Sequence, residues 1–112
     1  MEIPIINNIY DVYKIAIDIN INLPKRWRYT LGASAEKSIL DLLDVCIMAK
    51  YAPSPLKATY LLKAQSYLES TRLKFRLMLE QKIANETKIF QVQAKLLLIG
   101  KMIGGWTRSL SL

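Results

Sequence analysis

The sequence contains no histidine and only one cysteine, and these two absences exclude most familiar catalytic and metal sites. Without histidine there can be no serine–histidine triad, no histidine general base and no histidine metal ligand. Cys46 alone provides neither an internal disulfide nor a multi-cysteine zinc site. Asp41 and Asp44 lack the Glu-x-x-His partners that a di-metal carboxylate site needs. We therefore predict a protein that is not an enzyme and that uses no cofactor and no metal.

Glycine and proline are scarce, and long hydrophobic runs are absent. Four residues of each type in 112 are few for a loop-rich all-β fold. The most apolar stretch, residues 96–106, contains Lys101 and is about half as long as the roughly 20 residues of a membrane-spanning helix. The sequence start at Met1 lacks the basic and apolar regions of a secretory signal. We expect one globular domain over residues 1–112, cytoplasmic and without membrane contact.

Breaks in the sequence divide the chain into four segments, each long enough for a helix. The breaks fall at Pro24, at Pro53-Ser54-Pro55 and at Asn85. Pro24 and Pro55 suit the first position of a helix, and Ser54 and Asn85 are the predicted N-caps of the third and fourth helices. The segments cover about 4–22, 25–52, 55–84 and 86–108. Because the connections are short, consecutive helices are expected to pack antiparallel. The predicted fold is all-α, an antiparallel up-down-up-down four-helix bundle.

Apolar residues in three segments recur at the steps of three and four that are typical of a helix with one buried face. The second segment has Gly32, Ala35, Ile39, Leu42, Cys46 and Ala49. The third has Tyr60, Leu61, Ala64, Leu68, Phe75, Met78 and Leu79. The fourth has Ile89, Val92, Leu96, Ile99, Ile103 and Trp106. These residues are the predicted core.

The first segment carries two conflicting patterns. One pattern alternates as in a strand, with Ile15, Ile17, Ile19 and Ile21. The other keeps helical spacing, with Ile6, Ile9, Tyr13 and Ala16. Because three helical segments follow and no other segment could supply a partner strand, we predict a helix.

Positive charge is in excess and unevenly distributed. The chain has 16 basic and 9 acidic residues, a net charge of +7, and residues 55–112 carry the whole excess. In this half, Arg72 and Arg76 lie one helical turn apart. Segregated positive charge is typical of surfaces that bind nucleic-acid phosphates. A solvated surface, or pairing of the two arginines with Glu69 and Glu80, is the alternative.

A second basic cluster lies at the start of the second segment, where Lys25, Arg26 and Arg28 surround Trp27 and Tyr29. The aromatic rings could stack on bases. The alternative is that Trp27 packs against the end of the bundle.

The third and fourth segments have more apolar surface than one core requires. Leu62, Leu73 and Leu77 lie roughly opposite the core face of the third segment. Additional apolar rows more often form a subunit interface than a ligand site, so we predict a homo-oligomer with these leucines at the contact. Gly100 and Gly104 further suggest close approach of another helix, because glycine inside a helix costs about 1 kcal/mol relative to alanine.

Four runs of the sequence resemble a known family of four-helix bundles. They are Leu23-Pro24-Lys25, Tyr29-Thr30-Leu31-Gly32, Leu73-Lys74-Phe75-Arg76-Leu77 and Ile99-Gly100-Lys101-Met102-Ile103-Gly104-Gly105-Trp106. The family includes the accessory variability determinant (Avd) proteins of diversity-generating retroelements and the proteins encoded by intervening sequences in bacterial 23S ribosomal RNA genes. The resemblance covers about 23–108.

This resemblance implies a small, basic, non-enzymatic protein that is pentameric. For the Avd group it implies binding to the retroelement's reverse transcriptase and to RNA or DNA, the template RNA or its cDNA, during mutagenic retrohoming. Five basic residues match family positions, namely Lys25, Arg72, Arg76, Lys101 and Arg108. With Arg26 and Arg28 they are the predicted nucleic-acid or partner-binding residues. The intervening-sequence group, or a structural module whose basic face binds an acidic protein, is the alternative.

Overall fold

Four long helices make up the computed structural model, which describes residues 2–110 and contains no strand within that range. The helices are α1 Glu2–Ile21, α2 Lys25–Trp27, a π-helical segment Arg28–Gly32, α3 Ala33–Tyr51, α4 Ser54–Glu80 and α5 Glu86–Ser109. The all-α class is therefore confirmed. The predicted domain, 1–112, also includes Met1, Ser111 and Leu112, which lie outside the described residues.

The first segment is helical throughout its described length. Its buried apolar residues step by four and three, and are Ile5, Ile9, Val12, Ala16 and Ile19. Ile6 and Tyr13, which belong to the helical pattern predicted for this segment, are only half-buried. The alternating isoleucines therefore do not mark a strand. They lie on different faces of the helix, because Ile19 is buried whereas Ile17 and Ile21 are exposed.

The second segment forms one helical run that changes its hydrogen-bond pattern at Arg28–Gly32, where five residues adopt a π-helix. Gly32 lies against α1 here: a Cβ at this position would lie 3.0 Å from both Asn20 Oδ1 and Leu23 Cδ1. The run ends at Tyr51, because Ala52 is extended ahead of Pro53. All six predicted core positions of this segment are buried.

Helix α4 begins at Ser54 and ends at Glu80, four residues before the predicted end. Ser54 was expected to cap this helix, but it is the first helical residue and its side chain makes no capping bond. The chain leaves the helix through Lys82, which has a positive φ of 55°. Asn85 then caps α5 as predicted, and its Oδ1 accepts a hydrogen bond from the Lys88 N–H at 3.0 Å.

The core contains one buried polar pair besides the predicted apolar residues. Ser38 Oγ of α3 and Thr71 Oγ1 of α4 are 2.8 Å apart, and Thr71 also donates to the Tyr67 carbonyl at 2.7 Å. Thr71 is fully buried although the apolar pattern omitted it. The pair satisfies two hydroxyls that would otherwise be costly to bury.

Each long helix contacts two others, so that α1, α3, α4 and α5 surround one core in that order. Ion pairs join α1 to α5, between Asp18 and Lys88 and between Asp11 and Lys95 (3.7 Å). Helix α5 approaches α4 closely at Gly100, where a Cβ would be 3.1 Å from Leu68 Cδ2. The assembled chain measures 47 × 21 × 20 Å. Within residues 2–110, every helix is too short or too polar to cross a lipid bilayer.

Candidate nucleic-acid interface

One side of the molecule, which we call the α4–α5 face, brings together predicted basic and predicted interface residues. A first groove between these helices is lined by Arg72, Leu73 and Arg76 of α4 and by Gln93, Ala94 and Leu97 of α5. A second groove, nearer the start of α4, is lined by Leu62 and Gln65 of α4 and by Gly104, Thr107 and Arg108 of α5. Positive and apolar side chains therefore lie side by side along one surface, and Glu69 also lines the first groove.

The helical period explains why the leucines of this face are exposed. Leu68 and Phe75 point into the core, and residues five or six positions away along the helix point in the opposite direction. Accordingly Leu62 is 70% exposed and Leu73 is 53% exposed. Leu77 is less exposed, at 39%, and it lines neither groove. These exposures leave the leucines available for contact, and their role as a subunit interface stays a prediction.

Arg72 and Arg76 form intrahelical ion pairs, as expected from the alternative to nucleic-acid binding considered above. Arg72 Nη1 lies 3.8 Å from Glu69 Oε2, and Arg76 Nε lies 3.2 Å from Glu80 Oε2. Such solvent-exposed pairs contribute between about 0 and 1 kcal/mol. A phosphate could therefore replace either glutamate at small cost, since the arginine fork matches a phosphate as well as it matches a carboxylate. The observed pairs do not remove these arginines from a binding surface.

Lys101 and Arg108 extend the positive charge along α5. Lys101 is exposed and lies one turn after Leu97, between the two grooves. The Arg108 guanidinium lies close to the helix at the double glycine: a Cβ at Gly104 would be 3.4 Å from Nη1, and one at Gly105 would be 3.8 Å from Nη2. At Gly104 the nearest side chain is thus that of Arg108 in the same helix, and close approach of another helix there stays a prediction. The prediction is confirmed only for Gly100.

The cluster at Lys25, Arg26 and Arg28 lies elsewhere, at the connection after α1, and lines neither groove. Lys25 and Arg26 are exposed. Arg28 is half-buried, and its Nη2 donates to the Leu23 carbonyl at 3.1 Å, which closes the end of α1. Trp27 packs against the core, with the Arg26 guanidinium 5.2 Å from its ring, so the packing interpretation of Trp27 is confirmed.

A buried polar group supports this connection, and the sequence analysis missed it. Asn20 is 3% exposed, and its Nδ2 donates to the Gly32 carbonyl at 2.9 Å and to Glu36 Oε2 at 2.6 Å. Glu36 also accepts from the Tyr13 hydroxyl at 3.4 Å. Burial, followed by the nearby Glu36 carboxylate, raises the pKa of Tyr13. The feature of the sequence that could have revealed this buried group is an asparagine within an isoleucine-rich helix.

Several basic residues of the second half are used within the fold. Lys57 Nζ donates to the carbonyls of Ala49 and Lys50, both at 2.8 Å, and so closes the end of α3. Lys88 and Lys95 pair with α1 as described above. These three lysines therefore contact other helices of the chain, whereas Arg72 and Arg76 line the first groove of the α4–α5 face.

Lys74 lies in a separate polar groove between α3 and α4. Its Nζ donates to the Ser34 carbonyl at 3.3 Å, and Lys37 and Asp41 line the same groove. Burial lowers the pKa of Lys74; Asp41 opposes this shift, and the neighbouring Lys37 adds to it. Lys74 therefore faces α3 and does not belong to the α4–α5 face.

Cys46 lies in the core, and desolvation raises the pKa of its thiol to about 12. A buried thiol with this pKa carries almost no thiolate near neutral pH and is a poor nucleophile. The buried side chain fills space between helices, as the apolar pattern predicted.

Comparison with known proteins agrees with the resemblance. A family model described as bAvd-like matches residues 4–110, which include all four long helices apart from the first two residues of α1. No curated protein matches the chain. The family match spans the α4–α5 face and the connection that carries Lys25, so it covers every predicted binding residue. The chain therefore belongs to the bAvd-like family.

Proposed function

We propose that this chain is a non-enzymatic accessory protein of a diversity-generating retroelement, and that it binds the reverse transcriptase and nucleic acid during mutagenic retrohoming. Family membership supports the general role. The observation that carries the binding proposal is the α4–α5 face, where Arg72, Arg76 and Arg108 lie beside exposed leucines. Guanidinium groups bind phosphate oxygens in two places, so this face suits a nucleic-acid backbone.

In the proposed architecture the four long helices form an antiparallel up-down-up-down bundle. Two α1–α5 pairs support it, because Asp18 near the end of α1 meets Lys88 near the start of α5, and the earlier Asp11 meets the later Lys95. A third contact, from Asn8 to Met102, continues the same order. The α3–α4 pair agrees, since Ser38 meets Thr71 and Ser34 meets Lys74.

The proposed active form is a homo-oligomer in the cytoplasm, with the pentamer that the resemblance implies. A single α4–α5 face offers few arginines, whereas a ring of copies would repeat them and produce a continuous basic surface. Apolar burial would also contribute substantially to the free energy of self-association, because burying one leucine contributes about 1.5–3 kcal/mol and each copy exposes Leu62, Leu73 and Leu77. Light scattering at micromolar concentration should give a mass several times the 12.8 kDa of one chain. A mass of one chain would contradict the self-association.

A reconstituted retroelement tests the functional proposal. The purified chain should be retained by immobilised reverse transcriptase and should shift template RNA in a binding assay that weakens steeply with salt. The Arg72→Ala, Arg76→Ala variant should lose most of that binding and should reduce retrohoming in cells that lack the native gene. If the chain binds neither RNA nor DNA but is retained by an acidic protein surface, the acidic-partner alternative replaces this proposal.

A further inference from the structure

The polar groove between α3 and α4, which we call the α3–α4 groove, has no part in the proposed function. Its volume is about 250 Å³, and every side chain that lines it carries a hydrogen-bonding group. Sites for drug-sized ligands have volumes of roughly 300–1,000 Å³ and are mostly apolar. The size and the lining of the α3–α4 groove therefore suit a small polar ligand such as an ion.

The groove holds hydrogen-bond donors that the fold leaves unused. Lys74 Nζ makes one long hydrogen bond, to the Ser34 carbonyl at 3.3 Å, and can donate two more. The hydroxyls of Ser34, Tyr67 and Ser70 also line the groove. Within residues 2–110 these three hydroxyls make no hydrogen bond, because Ser34 and Tyr67 accept only through their backbone carbonyls. This set of donors suits an anion that has several oxygen atoms.

The groove also has one more ammonium group than it has carboxylates. Lys37 Nζ pairs with Asp41 Oδ2 at 2.9 Å, and this hydrogen bond raises the pKa of Lys37, which keeps it protonated at neutral pH. In the described part of the chain, Lys74 forms no ion pair with a carboxylate. Burial lowers the pKa of Lys74; Asp41 opposes this shift and Lys37 adds to it, so the three charges act on one another. A bound anion would compensate the partly desolvated charge of Lys74.

Asp41 determines which anion the groove accepts. Its Oδ2 is occupied by Lys37, whereas its Oδ1 has no hydrogen-bond partner among the described residues and can accept one. A carboxylate repels an anion without a proton, but it accepts a hydrogen bond from a P–OH group. Inorganic phosphate keeps one such proton at neutral pH, and a phosphate monoester loses its last one near about pH 6. Sulfate and the phosphodiesters of nucleic acid have none.

We infer that the α3–α4 groove is a binding site for inorganic phosphate. The unprotonated phosphate oxygens accept hydrogen bonds from Lys37, Lys74 and the groove hydroxyls, and the protonated oxygen donates to Asp41. The bonds to the two lysines are charge-assisted and supply most of the affinity. The lining of this groove shares no residue with the α4–α5 face, so the inference is independent of the proposed binding of nucleic acid.

Equilibrium dialysis with radiolabelled inorganic phosphate, at neutral pH and in a buffer without other phosphate, tests the inference. We expect one phosphate per chain at saturation. Unlabelled sulfate at matched ionic strength should compete at least about tenfold less well than unlabelled phosphate, since a hydrogen bond to a charged group corresponds to a decade or more in affinity. Thermal unfolding is less suitable, because both anions also stabilise folded proteins by exclusion from the surface.

Three variants identify the groups that bind. Lys74→Met should weaken phosphate binding by at least about tenfold, because a charged donor is lost. Ser70→Ala should weaken it in the same direction by a smaller factor, since a neutral donor is lost. Asp41→Asn should remove most of the preference for phosphate over sulfate, because an amide can donate to either anion. A purely structural role of Asp41 would leave the ratio of the two affinities unchanged.

The matched control is Lys63→Met, which removes the same charge from an exposed lysine of α4 that does not line the groove. It should keep the parental affinity for phosphate, and so should the Arg72→Ala, Arg76→Ala variant. Circular dichroism should show parental helicity for all variants.

Three results would overturn the inference. The first is a parental chain that retains no phosphate or that binds sulfate as well as phosphate. The second is an equal loss of affinity in Lys63→Met and Lys74→Met, because net charge alone would then explain the binding. The third is loss of phosphate binding only in the Arg72→Ala, Arg76→Ala variant. That result would place the phosphate on the α4–α5 face, and the proposed function would stand while this inference fails.

Discussion

Replacing Arg72 and Arg76 by alanine tests the α4–α5 face most directly. Each arginine is held only by one exposed carboxylate, at 3.8 Å from Glu69 and 3.2 Å from Glu80. Exposed intrahelical pairs of this type contribute about 0.3–0.5 kcal/mol, and alanine is the best helix former, so the free energy of unfolding should change little. The Gln93 side chain can still donate to the carbonyl of residue 72, because this bond uses the backbone. Helicity should therefore stay at the parental value.

Binding should change much more than stability. For each phosphate that a protein contacts, the slope of log K against log salt is steeper by about 0.9 on duplex DNA and by about 0.7 on a single strand. If both arginines contact phosphates, their removal should reduce this slope by about 1.8 on a duplex and about 1.4 on a single strand for every copy in contact. Fluorescence anisotropy with labelled RNA and DNA over a salt series measures the change.

The matched control is the Lys14→Ala, Lys37→Ala variant. It removes the same charge and the same two kinds of exposed pair, from Lys14 to Asp11 at i,i+3 and from Lys37 to Asp41 at i,i+4, and neither lysine lines an α4–α5 groove. Its salt slope should equal that of the parent. An arginine variant with the parental slope, or one that dissociates into single chains, would refute a direct role of the two arginines in phosphate binding.

Three further outcomes test the fold. Gly32→Ala should destabilise the chain by about 1–3 kcal/mol in urea unfolding, because the new methyl group would lie 3.0 Å from Asn20 Oδ1 and Leu23 Cδ1. Asn85→Ala should cost about 1 kcal/mol in the same assay through loss of the α5 cap, whereas Asn85→Asp should retain most of the stability. Cys46 should resist alkylation at pH 8 until denaturant is added, since burial raises its pKa to about 12, and rapid labelling of the native chain would contradict the buried position.

Local sequence patterns were sufficient to predict the helices and most of the core. Every apolar position predicted for the core in the second and fourth segments is buried. The reason is that residues spaced at the 3.6-residue helical period lie on one side of a helix, independently of which helix packs against them. The Asn85 cap followed from one residue type at one helix start. The exposure of Leu62 and Leu73 followed from the same period, since both lie away from the core face. Each of these features depends on neighbours in the chain.

Features that depend on distant residues were decided only by the tertiary structure. The π-helical segment at Arg28–Gly32 lies where Gly32 packs against Asn20 of α1, a contact that no pattern within the second segment reveals. Sequence charge likewise did not show that Lys88 pairs with Asp18, a residue 70 positions away. The sequence determined which helix faces are apolar and which are basic. Tertiary packing decided which charged side chains pair within the fold and which stay on the surface, because pairing depends on the side chains that a neighbouring helix places opposite them.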